Sequence, residues 1–142
     1  MDTETVLGVA TLASLLALAT VVGLLLRRRD GRRRAVGTGA DAPGLGELVP
    51  GHELGADPVV VQLSAAVCAP CRATARVWES VAAAGQHVEL DVEENLAIVA
   101  RLHVWRTPTS FVFAPDGSLV IRIDGVPTRQ QAREALSSAA PG

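Results

Sequence analysis

The sequence predicts an α/β domain, a mixed sheet with helices on both faces, behind one N-terminal transmembrane helix. Three observations carry this. Val6 to Leu26 is an apolar run without a charged residue or a Pro. From Val59 onward, short strand-like runs alternate with helix-like runs. The only two cysteines, Cys68 and Cys71, form a C-x-x-C where a strand-like run hands over to a helix-like one. Strands alternating with helices, then a hairpin and a last helix, give βαβα followed by ββα, which closes as a mixed sheet covered on two sides.

The first segment, residues 1–34, reads as a membrane anchor with an Arg-rich flank. The 21 residues from Val6 to Leu26 would span about 31 Å as a helix, close to the hydrocarbon thickness of a bilayer. A cleaved signal peptide is the competing reading. It needs a basic start and a small-residue cleavage site, whereas this chain begins Met1-Asp2-Thr3-Glu4 and places Arg27-Arg28-Arg29 after the run. All 13 basic residues are Arg, six of them between Arg27 and Arg34. Cytoplasmic flanks carry the Arg excess. The N-terminus is therefore expected outside and the domain in the cytoplasm, in a single-pass cell-membrane protein; an extracytoplasmic domain is the alternative. The same flank is placed to touch anionic lipid headgroups. Formal net charge is −2, and no aromatic residue interleaves the Arg cluster, which argues against nucleic acid. A chain without Lys and rich in Ala, Gly, Val and Arg has the composition of a GC-rich bacterial genome.

Residues 35–57 read as a flexible linker, broken by Gly37, Gly39, Gly44, Gly46, Gly51 and Gly55, with room for one short strand near Leu48 to Leu54. The domain follows at 58–142. Val59 to Ser64 is a continuous apolar run, as in a central strand buried on both faces. Arg72 to Ala84 carries Val77, Trp78, Val81 and Ala82 on one helical stripe, with Gly85 as its stop. Val88 to Val92 is a second strand. Glu94 to Leu102 is a short helix with Leu96, Val99, Ala100 and Leu102 expected inward. Ser110 to Ala114 and Leu119 to Ile123 form a hairpin across Pro115-Asp116-Gly117. Thr128 opens the last helix, with Gln131 three residues on to complete a capping box.

Cys68-Ala69-Pro70-Cys71 carries the chemistry. One helical turn separates the two sulfurs, and the first cysteine meets the helix N-terminus, where unpaired N–H groups stabilise a thiolate. Pro70 suits an early helical position, having no N–H to leave unpaired. Cys68 is therefore the expected nucleophile and Cys71 the resolving thiol, with Arg72 as a nearby positive charge. A disulfide with a purely structural role would close a tiny loop and stabilise little. A zinc site needs two more ligands, and His52, His87 and His103 show no paired spacing; no metal and no cofactor are expected. His87 and His103 read as surface residues.

The element order, the C-x-x-C after the first strong strand, and Thr107-Pro108 ahead of the hairpin resemble the thioredoxin superfamily over Val59 to Ala139. The resemblance implies a thioredoxin-like fold and thiol–disulfide exchange with protein substrates. It also implies a cis Pro108 beside the cysteines, with Thr107 and Pro108 pairing their backbone to the substrate strand and Val67 joining the substrate-binding surface. The chain departs from the family pattern in several places. Val67 stands where a Trp is usual, Ala69 where a Gly is usual, and Arg76 where a Pro kinks the helix. Gln62 replaces a buried Asp that serves as proton acceptor. Trp105 either covers part of the surface left by the missing Trp or is an ordinary Trp. The implied function is a membrane-tethered protein-disulfide oxidoreductase serving protein thiols and disulfides, with an unidentified redox partner. The alternative is a redox-weak binding module that docks a membrane partner.

Overall fold

The computed structural model describes residues 3–29, 32–35 and 42–141; the side chains of 3–6, 26–29 and 32–34 are outside that description. The chain divides into two compact units, Met1–Asp30 and Gly31–Gly142. The first is helix α1, Thr3–Arg29. Its Leu7–Leu25 segment, with mean hydropathy 2.2, is long and apolar enough to cross a membrane, a property that signal sequences share. The acidic Met1-Asp2 start, the Arg27 to Arg34 side chains and part of the expected linker, residues 36–41, lie outside the described residues.

In the second unit the elements are β1 (Arg32–Ala35), α2 (Leu45–Leu48), β2 (Val59–Ser64), α3 (Ala69–Glu79), β3 (His87–Asp91), α4 (Leu96–Arg101), β4 (Thr109–Phe113), β5 (Leu119–Asp124) and α5 (Arg129–Ala139). The sheet order is β1-β5-β4-β2-β3. β2 and β3 run parallel, and the other neighbours are antiparallel. The mixed sheet flanked by helices is the architecture that the pattern predicted. Backbone pairing of Arg32–Ala35 with β5 was not legible, because a short Arg-rich strand shows no apolar alternation.

Residue parity sorts the core. Val59, Val61, Leu63, Phe111 and Phe113 meet Leu45, Leu48, Leu102 and Val104 on one face. Val60, Val112, Ile121 and Ile123 meet Trp78, Ala132, Ala135 and Ala139 on the other. All six residues of β2 are buried, as a central strand requires.

Local chemistry sets the ends of the elements. Thr128 caps α5 by accepting from the Gln131 N–H, while the Gln131 side chain accepts from the Thr128 N–H. Asp116 and Gly117 turn the β4–β5 hairpin, Gly117 with φ 82° and Asp116 accepting from the Ser118 N–H.

Three expectations are corrected. Instead of a strand near Leu48 to Leu54, Leu45–Leu48 is a helical turn whose two leucines are buried, and the Leu45 N–H donates to the Gly117 carbonyl of the hairpin. Leu96 and Ala100 point outward, Leu96 being 68% exposed, since α4 spans only six residues and buries through Ile98 and Val99. Helix α3 ends at Glu79, five residues before Ala84, and a turn leads on to Gly85 with φ 83°.

Candidate functional site

The site forms where β2 ends and α3 begins. Cys68 is the N-cap of α3, extended in backbone, and its sulfur accepts from the Cys71 N–H at 3.1 Å. Pro70 occupies the first turn, where the absent N–H costs nothing. Cys68 and Cys71 are joined as a disulfide with a Cα–Cα separation of 5.2 Å. The two differ sharply in access. Cys68 is partly exposed, whereas Cys71 is 1% exposed on the buried stripe of α3 with Thr74 and Trp78.

The Thr107–Pro108 peptide is cis, as the family resemblance implied. Its loop comes directly against the cysteines, with Thr107 Oγ1 at 3.9 Å from Cys68 Sγ. Pro108 is buried and its carbonyl accepts from the Gly125 N–H, which closes the loop against the end of β5. Thr109 donates to the Arg106 carbonyl on the same loop. Residues 39 positions apart in sequence thus meet at one sulfur.

The other predicted residues divide into surface and interior. Val67 is 97% exposed and Trp105 88% exposed; Ala69 and Pro70 are exposed beside Cys68. Trp105 is therefore a surface Trp. It helps line an apolar cleft of about 400 Å³ with Leu96, Val99, Ala100, His103 and Val104. An adjoining cleft of about 250 Å³ continues through Val92, Val99, Val104 and Trp105 to Thr107. An apolar path therefore runs from α4 to the loop that touches Cys68. Arg122 fixes this region from behind. Its guanidinium donates to the Leu102 and His103 carbonyls at 2.7 and 3.1 Å, pairs with Asp124 and stacks over Phe111.

Gln62 is fully buried behind the disulfide. It faces α3 by strand parity and lies between Glu89 on β3 and Ser110 on β4. Its amide nitrogen is within hydrogen-bond reach of Ser64 Oγ at 2.8 Å, the Cys71 carbonyl at 3.0 Å and Glu89 Oε1 at 3.3 Å. Two N–H groups serve three acceptors, so the bonds are shared. His87 Nε2 meets Gln62 Oε1 at 3.1 Å. This corrects the surface reading of His87. The ring is half-buried, and burial pushes its pKa below the ordinary value, against the opposing carboxylates of Glu89 and Glu79. Sequence reasoning missed Glu89, His87 and Arg122. Only strand register brings the first two beside Gln62, and no spacing signal links Arg122 to the end of α4.

Known proteins point the same way. The sequence model of the Thioredoxin family matches residues 52–138. The chain is 35% identical over 86 residues to thioredoxin H-type 1 of Nicotiana tabacum, covering 58% of this chain and 68% of that protein. Among solved structures, Fasciola hepatica thioredoxin superposes with a TM-score of 0.54 at 28% identity, over 67% of this chain and 90% of that one. A thioredoxin from Halobacterium salinarum superposes with a TM-score of 0.53 at 27% identity, over 61% and 77% of the two chains.

Proposed function

Since the chain belongs to the thioredoxin family and is a protein-disulfide oxidoreductase, we propose that Cys68 and Cys71 exchange disulfides with protein substrates while α1 tethers the domain to a membrane. In the reducing direction the Cys68 thiolate attacks one sulfur of a substrate disulfide. A Cys68–substrate bond forms and the other substrate sulfur leaves as a thiolate. Cys71, as thiolate, then attacks Cys68 Sγ; the mixed disulfide breaks, the second substrate thiol leaves and the Cys68–Cys71 disulfide is formed. Oxidation of a substrate dithiol is the same sequence reversed.

The observation that carries this reading is the asymmetry at the pair. Cys68 is partly exposed, and its Sγ accepts an N–H at the α3 N-terminus and lies 3.9 Å from Thr107 Oγ1, whereas Cys71 is buried. The N–H groups at a helix start favour the thiolate over the thiol. The edge at exposed Val67 and partly exposed Thr107, backed by the buried Pro108, suits an extended substrate strand, with an apolar residue of that strand resting on Trp105 and Leu96. The trapping experiment is direct. Cys71→Ser is expected to accumulate mixed disulfides that resist non-reducing electrophoresis, and Cys68→Ser is expected to form none. The reverse pattern would overturn the assignment of roles.

The second reading, a redox-weak module that docks a membrane partner, is favoured by one feature: Gln62 holds the position behind Cys71 without a carboxylate. Insulin reduction by the full chain decides between them, since a docking module leaves insulin intact. For topology, the Arg-rich flank that follows the apolar segment of α1 supports a cytoplasmic domain. There the pair would rest mainly as a dithiol. Alkaline phosphatase activity from a fusion after Gly142 would place the domain outside instead.

A further inference from the structure

Among the described residues, five polar side chains are buried: Gln62, Ser64, Thr74, Thr109 and Ser110. Four have partners. Gln62 meets Ser64 and the Cys71 carbonyl, Thr109 donates to the Arg106 carbonyl, and Ser110 accepts from the Trp78 ring N–H at 2.9 Å. Among the described residues, Thr74 Oγ1 alone is buried without any partner. An orphaned hydroxyl in a core is destabilising relative to a Val of the same shape. A use for that hydroxyl has to be sought in a state other than the disulfide form.

Position supplies one. Cys71, Thr74 and Trp78 form the buried stripe of α3. Residues three apart on a helix are surface neighbours one turn apart. Helical side chains lean toward the N-terminus, so Thr74 lies over the turn that carries Cys71. In the disulfide form the Cys71 sulfur is held by Cys68. Reduction releases it to rotate about its own χ1, and it then needs a hydrogen-bond partner in a place that is 1% exposed. The nearby Gln62 amide is directed at the Cys71 carbonyl, Ser64 and Glu89.

We propose that the Thr74 hydroxyl donates a hydrogen bond to the Cys71 sulfur once the disulfide opens, and holds it while it carries thiolate charge in the resolving step. The group orphaned in the disulfide form gains its partner in the dithiol form, so Thr74 biases the couple toward the dithiol. Thr74 moves no electron and keeps its proton. Reduction of the Cys68–Cys71 bond draws two electrons and two protons from two thiols of a reductant such as glutathione, which leave as their disulfide.

The inference rests on the redox reading above, and the experiment separates the two. The full chain is equilibrated in glutathione buffers of graded composition, and the disulfide fraction is read by the mass added on thiol alkylation. A wild-type chain that never reaches a reversible equilibrium overturns the redox reading and this inference with it. Given an equilibrium, Thr74→Val is expected to move its constant about tenfold toward the disulfide, equivalent to about 30 mV. Thr74→Ser keeps the hydroxyl and is expected to stay near wild type. An unmoved constant in Thr74→Val overturns this inference alone. Thermal unfolding of the two redox forms gives an independent reading. Thr74→Val is expected to raise the midpoint of the disulfide form more than that of the dithiol form, and equal rises overturn the proposal. Thr74→Ala is read against the same equilibrium constant if the Val variant does not fold.

Discussion

On the α2/α4 face of the sheet, Val59, Val61, Leu63, Phe111 and Phe113 pack against Leu45, Leu48, Leu102 and Val104. On the α3/α5 face, Val60, Trp78, Val112 and Ile123 share the interior with Gln62, Ser64, Thr74 and Ser110. Both faces exclude water, but they do so on different terms. The first is held mainly by apolar contact, which is non-directional and tolerates repacking; its buried Thr109, at the site end of β4, bonds to the Arg106 carbonyl. The second must also satisfy directional polar groups, and these gather under the disulfide, with Gln62 bonded to the Cys71 carbonyl. The two faces therefore place different physical demands on their side chains. Mutations on the α2/α4 face away from the Trp105–Thr107 cleft should change stability alone, and those around Gln62 on the α3/α5 face should change stability and exchange together.

The largest expected effect tests the apolar face. Phe113 is fully buried at the end of β4 farther from the site. Four residues of strand put it about 13 Å from Thr109. Phe113→Ala is expected to lower unfolding free energy by about 3 to 5 kcal/mol, through lost transfer and a residual cavity. The exchange rate of the molecules that remain folded should be unchanged. A slowed exchange under folding conditions would break the comparison.

Gln62→Leu probes the other face at nearly constant volume. It leaves the Cys71 carbonyl and Ser64 without the donor they share and His87 without its acceptor. A loss of about 1 to 3 kcal/mol is expected from stranded polar groups. Here exchange should change too, seen as an altered lifetime of the mixed disulfide in stopped-flow mixing with a disulfide substrate. Lowered stability with unaltered resolution would assign Gln62 to the structure alone.

The smallest effect is the pH dependence contributed by His87. Burial lowers its folded pKa below 6.5. The unfolded chain therefore takes up the proton first as pH falls. Stability from this group is complete above about pH 6.5 and is lost progressively as pH drops toward the folded pKa. His87→Gln should flatten that limb of the curve, measured by denaturant unfolding between about pH 5 and about pH 7.5. An identical acid limb in the variant would show that another group governs it.

The sequence by itself determined what local chemistry can encode. The Val59 to Ser64 run became the buried central strand, Thr128 and Gln131 became a reciprocal cap, and Gly117 took the left-handed turn of the hairpin. The C-x-x-C fell at a helix start because Cys68 caps and Pro70 tolerates the first turn. These outcomes rest on contacts within a few residues, which spacing records directly. The tertiary structure alone decided the rest. Leu96 faces solvent because α4 is too short to bury more than one stripe, which leaves Trp105 and Leu96 to line an apolar path toward Thr107. Arg32–Ala35 joined the sheet through backbone groups that any side chain permits. Glu89 and His87 reached Gln62 only because the parallel register of β2 and β3 sets Gln62 opposite Glu89 and Val60 opposite His87. Register between distant strands follows from the sum of core contacts on both faces, and no local spacing in the chain carries that sum.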